Sequence, residues 1–288
     1  ELLDRLASEQ ELPGRVRSQL AFALLCELAD ADSAAPAEST ADTAATEETG
    51  GDLLSQIQAN GTITVAMEGT WAPWTYHDES DNLVGYDVEV ATKIAEKLGV
   101  EPKFVEGEWD GLLAGLDAGR YDIMVNGVDI TPERAEKYDF STPYAYNRTA
   151  VITQKDNDSI KALEDLNDKT TANTISSTYA ELAEQYGATV TGVDDLNQTF
   201  ELLLSGRIDA TLNAEVTYYD YMKEHPDANA KIAVLTADAN EVAIPMRKGD
   251  ETATLRAAID TAIEEMRADG TLKELSEKYF GTDISTNE

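Results

Sequence analysis

Short apolar, β-branched runs alternate with amphipathic helical segments along this chain, and the alternation happens twice. Thr62-Ile63-Thr64-Val65-Ala66-Met67 reads as a strand. Residues 84–98 place Val84, Val88, Ala91, Ile94, Ala95 and Leu98 at the three-and-four spacing of one helix face, stopped by Gly99. A strand over 103–105, a helix over 111–118 stopped by Gly119, and a strand over 121–126 follow. Strand, helix, strand, helix, strand in this order implies a doubly wound α/β sheet with helices on its faces. The pattern then restarts. Strands are expected over 150–154, 170–173, 189–193, 210–213 and 241–246, with helical segments over 162–166, 179–186, 196–204 and 216–223. Two long helices, 253–268 and 272–279, close the chain. The second unit is therefore inserted between the first and the C-terminal helices.

Two units need two cores, and 288 residues with 42% hydrophobic content supply them. The folded part begins near Leu53. Residues 30–52 hold Ala, Ser, Thr, Asp and Glu with a closing Gly-Gly and no large apolar residue, so they read as a flexible acidic tether. In residues 1–29, Arg15 and Arg17 precede a short apolar run, 20–25, and Cys26. Two readings stand. One is an atypical lipoprotein signal remnant with Cys26 as lipid anchor; the other is an ordinary helix that buries Cys26.

The balance of 22 basic against 56 acidic residues gives a net charge of −34. Such a surface repels phosphate backbones and anionic headgroups, so nucleic-acid and lipid-surface binding are excluded, and the charge is read as solubility. One cysteine cannot form an intramolecular disulfide. His77 and His225 lie far apart, without zinc-type spacing, and read as surface residues. Neither metal nor cofactor is expected. No run of about 20 apolar residues is present to span a membrane as a helix.

Open α/β sheets bind ligands beyond the carboxyl ends of their strands, and two such lobes share a cleft. After the first strand stand Glu68 and two tryptophans flanking a proline. Trp71 is read as a ring facing a ligand and Trp74 as a core residue. After the third strand come Asn126, Gly127 and Asp129, and then Thr131-Pro132-Glu133, a helix start with Arg134 on its first turn. An arginine there can hold a carboxylate through two parallel hydrogen bonds. In the second unit Ser177 and Thr178 stand between a strand and a helix, where free amides make an anion site.

Trp71-Ala72-Pro73-Trp74, Leu83-Val84-Gly85-Tyr86-Asp87-Val88-Glu89, Leu116-Asp117-Ala118-Gly119-Arg120-Tyr121-Asp122, Ile130-Thr131-Pro132-Glu133-Arg134, Tyr138-Asp139-Phe140-Ser141-Thr142-Pro143-Tyr144, Gly206-Arg207-Ile208-Asp209-Ala210 and Arg267-Ala268-Asp269-Gly270-Thr271 occur in that order. With them the chain resembles the family 3 substrate-binding proteins of amino-acid ABC transporters over residues 61–285. The resemblance implies a two-lobed type II periplasmic-binding-protein fold, each lobe an α/β sandwich. Lobe one would be 53–147 plus 246–288 and lobe two 148–245, with a two-strand hinge near Asn147-Arg148 and Ala243-Pro245. It implies that Arg134 clamps the ligand α-carboxylate, helped by the amides of Asp129 and Thr178. Trp71 would cover the ligand side chain, Trp109 and Asn126 would line lobe one, and Ser177 and Thr178 would reach from lobe two. Glu68 would fall near the side-chain pocket. The family places an Asp after the 206–210 strand to hold the ligand ammonium. Here Asn213-Ala214-Glu215 puts Ala214 at that position. Asp129 is then the first candidate for the ammonium, with Glu215 and Glu68 next.

Residues 109–119, 154–157 and 176–187 look most like cystine-binding members. The resemblance implies an extracytoplasmic, monomeric, non-enzymatic receptor that is periplasmic or held to the membrane as a lipoprotein, with permease subunits as partners. Two alternatives differ in class. A secreted dehydratase of the same fold needs a positioned acid or base, and no histidine or cysteine stands near the expected cleft. A sensor module would continue into a membrane helix, and the polar tail after Phe280 weighs against that, leaving a ligand-presenting sensor component.

Overall fold

The computed structural model describes residues 52–287. The expectations for Cys26, for residues 1–29 and for most of the tether lie outside the described residues. Asp52, assigned to the tether, already belongs to the fold. Its carboxylate accepts the Ser55 N–H at 3.1 Å and caps α1 (Leu53–Asn60), which ends at a left-handed Gly61.

In chain order there follow β1 (Thr62–Met67), a small meander of β2 (Thr70–Trp71), β3 (Thr75–His77) and β4 (Leu83–Val84), then α2 (Tyr86–Leu98), β5 (Glu101–Glu106), α3 (Trp109–Asp117), β6 (Ile123–Met124), α4 (Pro132–Lys137), β7 (Tyr138–Phe140) and β8 (Ala145–Asn147). The chain then enters the second lobe through β9 (Thr149–Thr153). That lobe holds β10 (Thr170–Asn173), α5 (Thr178–Gln185), β11 (Thr189–Gly192), α6 (Leu196–Leu204), β12 (Thr211–Ala214), α7 (Glu215–Glu224) and β13 (Lys231–Leu235). It returns through β14 (Asn240–Val242) and β15 (Pro245–Arg247) to α8 (Ala253–Ala268) and α9 (Thr271–Phe280).

In lobe one, β5, β1 and β6 form a parallel sheet in that order. Side chains alternate across it, as the two-residue period of a strand requires. Ile63, Val65, Met67, Ile123 and Val125 face one core with Ile94, Ile259 and Leu275. Ala66 and Met124 face the other, with Trp109, Leu112 and Leu116 of α3. The strand expected over 121–126 shrinks to Ile123–Met124, and beyond it side chains share the pairing with backbone groups. The Asp122 carboxylate accepts the Thr64 N–H at 2.7 Å, and Asn126 Oδ1 accepts the Glu68 N–H at 2.7 Å. The helix expected from residue 84 starts at Tyr86, after Gly85 at φ 135°, because Leu83 and Val84 pair with β3.

Lobe two differs from the doubly wound expectation. β10 and β11 are parallel, but β9 runs antiparallel to both β12 and β13. A bridge between Thr171 and Ala210 joins the two groups. β13 was not expected from sequence; its residues are all half-buried, so no alternation marks it.

The hinge pair is β8 against β14, with Asn147 opposite Asn240. The paired part of the returning segment thus begins at residue 240, ahead of Ala243-Pro245. Val242 and Ile244 already lie in the lobe-one core. The strand expected over 241–246 is split, because β14 pairs with β8 while β15 pairs with β7.

Candidate functional site

A cavity lies between the lobes. Lobe one contributes Glu68, Thr70, Trp71, Trp109, Gly127, Asp129 and Arg134; lobe two contributes Asn173, Thr174, Ser177, Thr178, Tyr179, Asp195, Leu196, Thr199 and Asn213.

Arg134 is placed by its helix start. Thr131 Oγ1 accepts the Arg134 N–H at 3.1 Å, and Pro132 opens α4. The guanidinium is buried, 6% exposed, beside the Trp109 ring at 5.2 Å. Nη1 donates to the Asp129 carbonyl at 3.1 Å and Nη2 to the Ser176 carbonyl at 3.2 Å. The neighbouring Glu133 pairs with Lys137 at 3.0 Å. Among the described residues no carboxylate forms a direct ion pair with Arg134, although its charge is felt by Asp129 and Glu181. That arrangement is costly unless an anion joins it.

Three carboxyls line the same cavity. Glu68 and Asn126 hold each other. Asn126 Nδ2 donates to Glu68 Oε2 at 2.7 Å, while Asn126 Oδ1 takes the Glu68 N–H. Burial pushes the Glu68 carboxyl up to about 7, against the Asn126 bond. Burial likewise pushes Asp129 up to about 6, opposed by the Thr178 hydroxyl and by Arg134. Asp129 Oδ2 accepts Thr178 Oγ1–H at 2.5 Å and Asn240 Nδ2–H at 3.2 Å. Asp195 caps α6, accepting the Gln198 N–H at 2.9 Å.

Trp71 lines the cavity, half-buried, and Trp74 is 1% exposed in the core. Their rings stack at 5.3 Å. Trp71 Nε1 donates to Asn213 Oδ1 at 3.3 Å across the cleft. Ser177 caps α5, its hydroxyl accepting the Ala180 N–H at 3.1 Å. Ser176, left-handed at φ 63°, donates its hydroxyl to Asp110 Oδ1 at 2.7 Å. The Trp71–Asn213 and Ser176–Asp110 bonds, with Arg134–Ser176 and Thr178–Asp129, link the lobes across the cleft.

Two expected residues are not at the cavity. Asn126 is fully buried behind Glu68 and supports it without facing the cavity. Glu215 opens α7 and pairs with Arg148 at 3.0 Å beside the hinge. Ala214 is fully buried and is not part of the wall. The residues missed from sequence are mostly in lobe two. Asp195 and Thr199 follow β11 as the after-strand rule demands, so that rule alone would have found them. His77 pairs with Glu106 at 2.7 Å outside the cavity, and His225 packs on the Tyr221 ring. Among the described residues no cluster of His, Cys, Asp or Glu is arranged to hold a metal ion, and no helix is long and apolar enough to cross a membrane.

The chain is 41% identical to the L-cystine-binding protein TcyA of Bacillus subtilis over 236 residues, which is 82% of this chain and 87% of that protein. It is 42% identical to the L-cystine solute receptor of Neisseria gonorrhoeae in an unliganded open conformation, covering 82% of this chain and 100% of that one, at a TM-score of 0.57. An ancestral arginine-binding protein bound to arginine is less similar in sequence, at 37% over 77% of this chain and 99% of its own, yet superposes better, at 0.72. The family model for bacterial extracellular solute-binding proteins, family 3, matches residues 63–282, and to that family the chain belongs.

Proposed function

We propose that the protein is the substrate-binding component of an amino-acid ABC transporter, capturing a small amino acid by hinge closure and delivering it to the permease. The observation that carries this reading is Arg134: a buried guanidinium, unpaired with any described carboxylate, at the wall of an interlobe cavity. Its free donors and the N-terminus of α5 at Thr178 suit an α-carboxylate. Lobe one, 53–147 with 240–288, and lobe two, 148–239, close on that ligand, and the bridging ligand favours the closed form by its contacts to both.

Asp129 is assigned to the ligand ammonium in place of the acid absent at Ala214. It is 6% exposed, lines the cavity and lacks an ion pair among the described residues. Glu68 and Asp195 add two more acids to the cavity lining, which suits a second cationic group. L-cystine is the best reading of the ligand, supported by TcyA and the gonococcal receptor. The protein works outside the cytoplasm, and attachment through Cys26 is part of the same proposal.

A thermal-shift screen of amino acids tests the reading, since a ligand that binds only the folded state raises Tm by mass action. Failure of every amino acid, cystine included, to raise Tm overturns it. A second reading, a dehydratase of the same fold, is favoured by one observation: the Glu68 carboxyl, pushed up to about 7, suits general acid work at neutral pH. Product release from prephenate decides for it, and its absence decides against it.

A further inference from the structure

Asp87 belongs to one of the motifs picked out in the sequence, yet nothing in the ligand site described above uses it. It is fully buried on the first turn of α2, and among the described residues no cation pairs with it. Burial pushes its carboxyl up to about 7. Two hydrogen bonds and the positive end of α2 oppose that cost. Oδ1 accepts the Tyr144 hydroxyl at 2.8 Å, and Oδ2 accepts the Gly127 N–H at 2.6 Å.

The second bond reaches the ligand wall. Gly127 lines the cavity with a left-handed backbone, φ 54°. It lies so close to the tryptophan pair that a Cβ there would stand 2.6 Å from the Trp71 ring and 3.4 Å from the Trp74 ring. Asp87 also holds the other side of this contact. Its own N–H donates to the Trp74 carbonyl at 3.0 Å, next to the Tyr86 N–H on the Pro73 carbonyl at 3.0 Å. One residue thus ties the loop carrying Glu68 and Trp71 to the loop carrying Gly127 and Asp129.

We propose that Asp87 is a positioning residue of the binding site, whose carboxylate fixes the Gly127 amide and thereby sets where the Trp71 ring stands over the cavity. A bare core anchor would lower stability when removed but leave the wall unchanged in molecules that stay folded. The inference rests on reading the cavity as the ligand site. Two of its readouts, near-ultraviolet circular dichroism of the stacked tryptophans and hydrogen exchange at the Gly127 amide, need no ligand, so a wrong ligand leaves them standing.

The experiment compares Asp87→Ala, Asp87→Asn and Tyr144→Phe with the native chain, using L-cystine and L-arginine as probes well below each Tm. Asp87→Ala is expected to unprotect the Gly127 amide, change the tryptophan spectrum and weaken binding at least about tenfold, the order expected when a preorganised wall loosens. Asp87→Asn keeps one oxygen for the Gly127 N–H. It is expected to retain protection, with affinity within about threefold of native, and so to act as the conservative rescue. Tyr144→Phe is expected to lower Tm while changing amide, spectrum and affinity less than Asp87→Ala does, although the Tyr144 hydroxyl also faces the Gly127 N–H. Folded Asp87→Ala with native binding and spectrum overturns the proposal. If Asp87→Ala does not fold, the other two variants decide. Gly127 protection lost without loss of binding, or binding lost with Gly127 still protected, overturns it; protection and binding moving together sustains it. Should neither probe bind the native chain, the amide and the spectrum decide by themselves.

Discussion

Arg134→Lys keeps the positive charge and removes the planar fork. The native guanidinium has five N–H donors, of which the carbonyls of Asp129 and Ser176 take two. Arg134 lines the cavity, so the remaining donors are the ones a ligand carboxylate would use. Lysine offers a point charge with three donors and cannot span two carboxylate oxygens while also holding two carbonyls from opposite lobes. Breaking a buried, hydrogen-bonded charge pair costs roughly 2–5 kcal/mol. Because lysine retains the charge, the lower end applies, and about 2 kcal/mol is roughly thirtyfold in Kd. Arg134→Ala removes the charge too and belongs nearer the upper end, on the order of a thousandfold. Both variants also strand the Asp129 and Ser176 carbonyls, each at a cost of about 1–3 kcal/mol if no water replaces the donor. Affinity must therefore be measured by calorimetry well below each variant's own Tm, with L-cystine as titrant at neutral pH. A folded Arg134→Lys protein that binds within twofold of native refutes the clamp.

Asp129→Asn is expected to weaken an amine-bearing ligand by more than tenfold and its deaminated analogue far less, by calorimetry; equal losses for the two remove Asp129 from the ammonium site. Stability should fall with rising pH. Glu68 and Asp87 are pushed up to about 7 and Asp129 to about 6, so the folded chain holds these protons more tightly than the unfolded one. Their contribution is complete below about pH 4 and is lost as pH rises through 6 to 7, at roughly 3 kcal/mol for each group. Chemical denaturation at pH 5 and pH 8 checks it, and Glu68→Gln should flatten the difference; an unchanged slope in that variant is the contrary result. Glu215→Ala should leave affinity native and cost at most about 1 kcal/mol, because the residue serves a partly exposed pair with Arg148. Measurable loss of ligand affinity there would return Glu215 to the site.

The helices and central strands were readable because each buries one face against a sheet, and burial imposes a period. Val88, Ala91, Ile94, Ala95 and Leu98 mark α2 in this way, and all five are buried together in one core. β13 could not be read because its residues are evenly half-buried and carry no alternation. Arg134 was visible through its cap, since Thr131 and Pro132 fix where the helix starts. Asn126 and Glu215 show the opposite case. Both follow a strand, but position in sequence does not say toward which side a side chain turns. Asn126 turns inward to satisfy Glu68, and Glu215 turns to Arg148. The role of Asp87 was hidden for the same reason, because its partners Gly127 and Tyr144 are 40 and 57 residues away.

Asp129 stands on a junction. Its backbone pairs with Val242 of the hinge strand, and its carboxylate reaches both Asn240 on that strand and Thr178 on lobe two. Whatever group displaces or recruits that carboxylate also pulls on the strand about which the lobes turn. On the proposed assignment of Asp129 to the ligand ammonium, changes that retune which ligand is preferred will also retune how fast it is let go. For anyone building a biosensor from this scaffold, selectivity and response time are one design variable at Asp129. They become two only if recognition is moved to Glu68 or Asp195, the cavity acids without a hydrogen bond to the hinge strand.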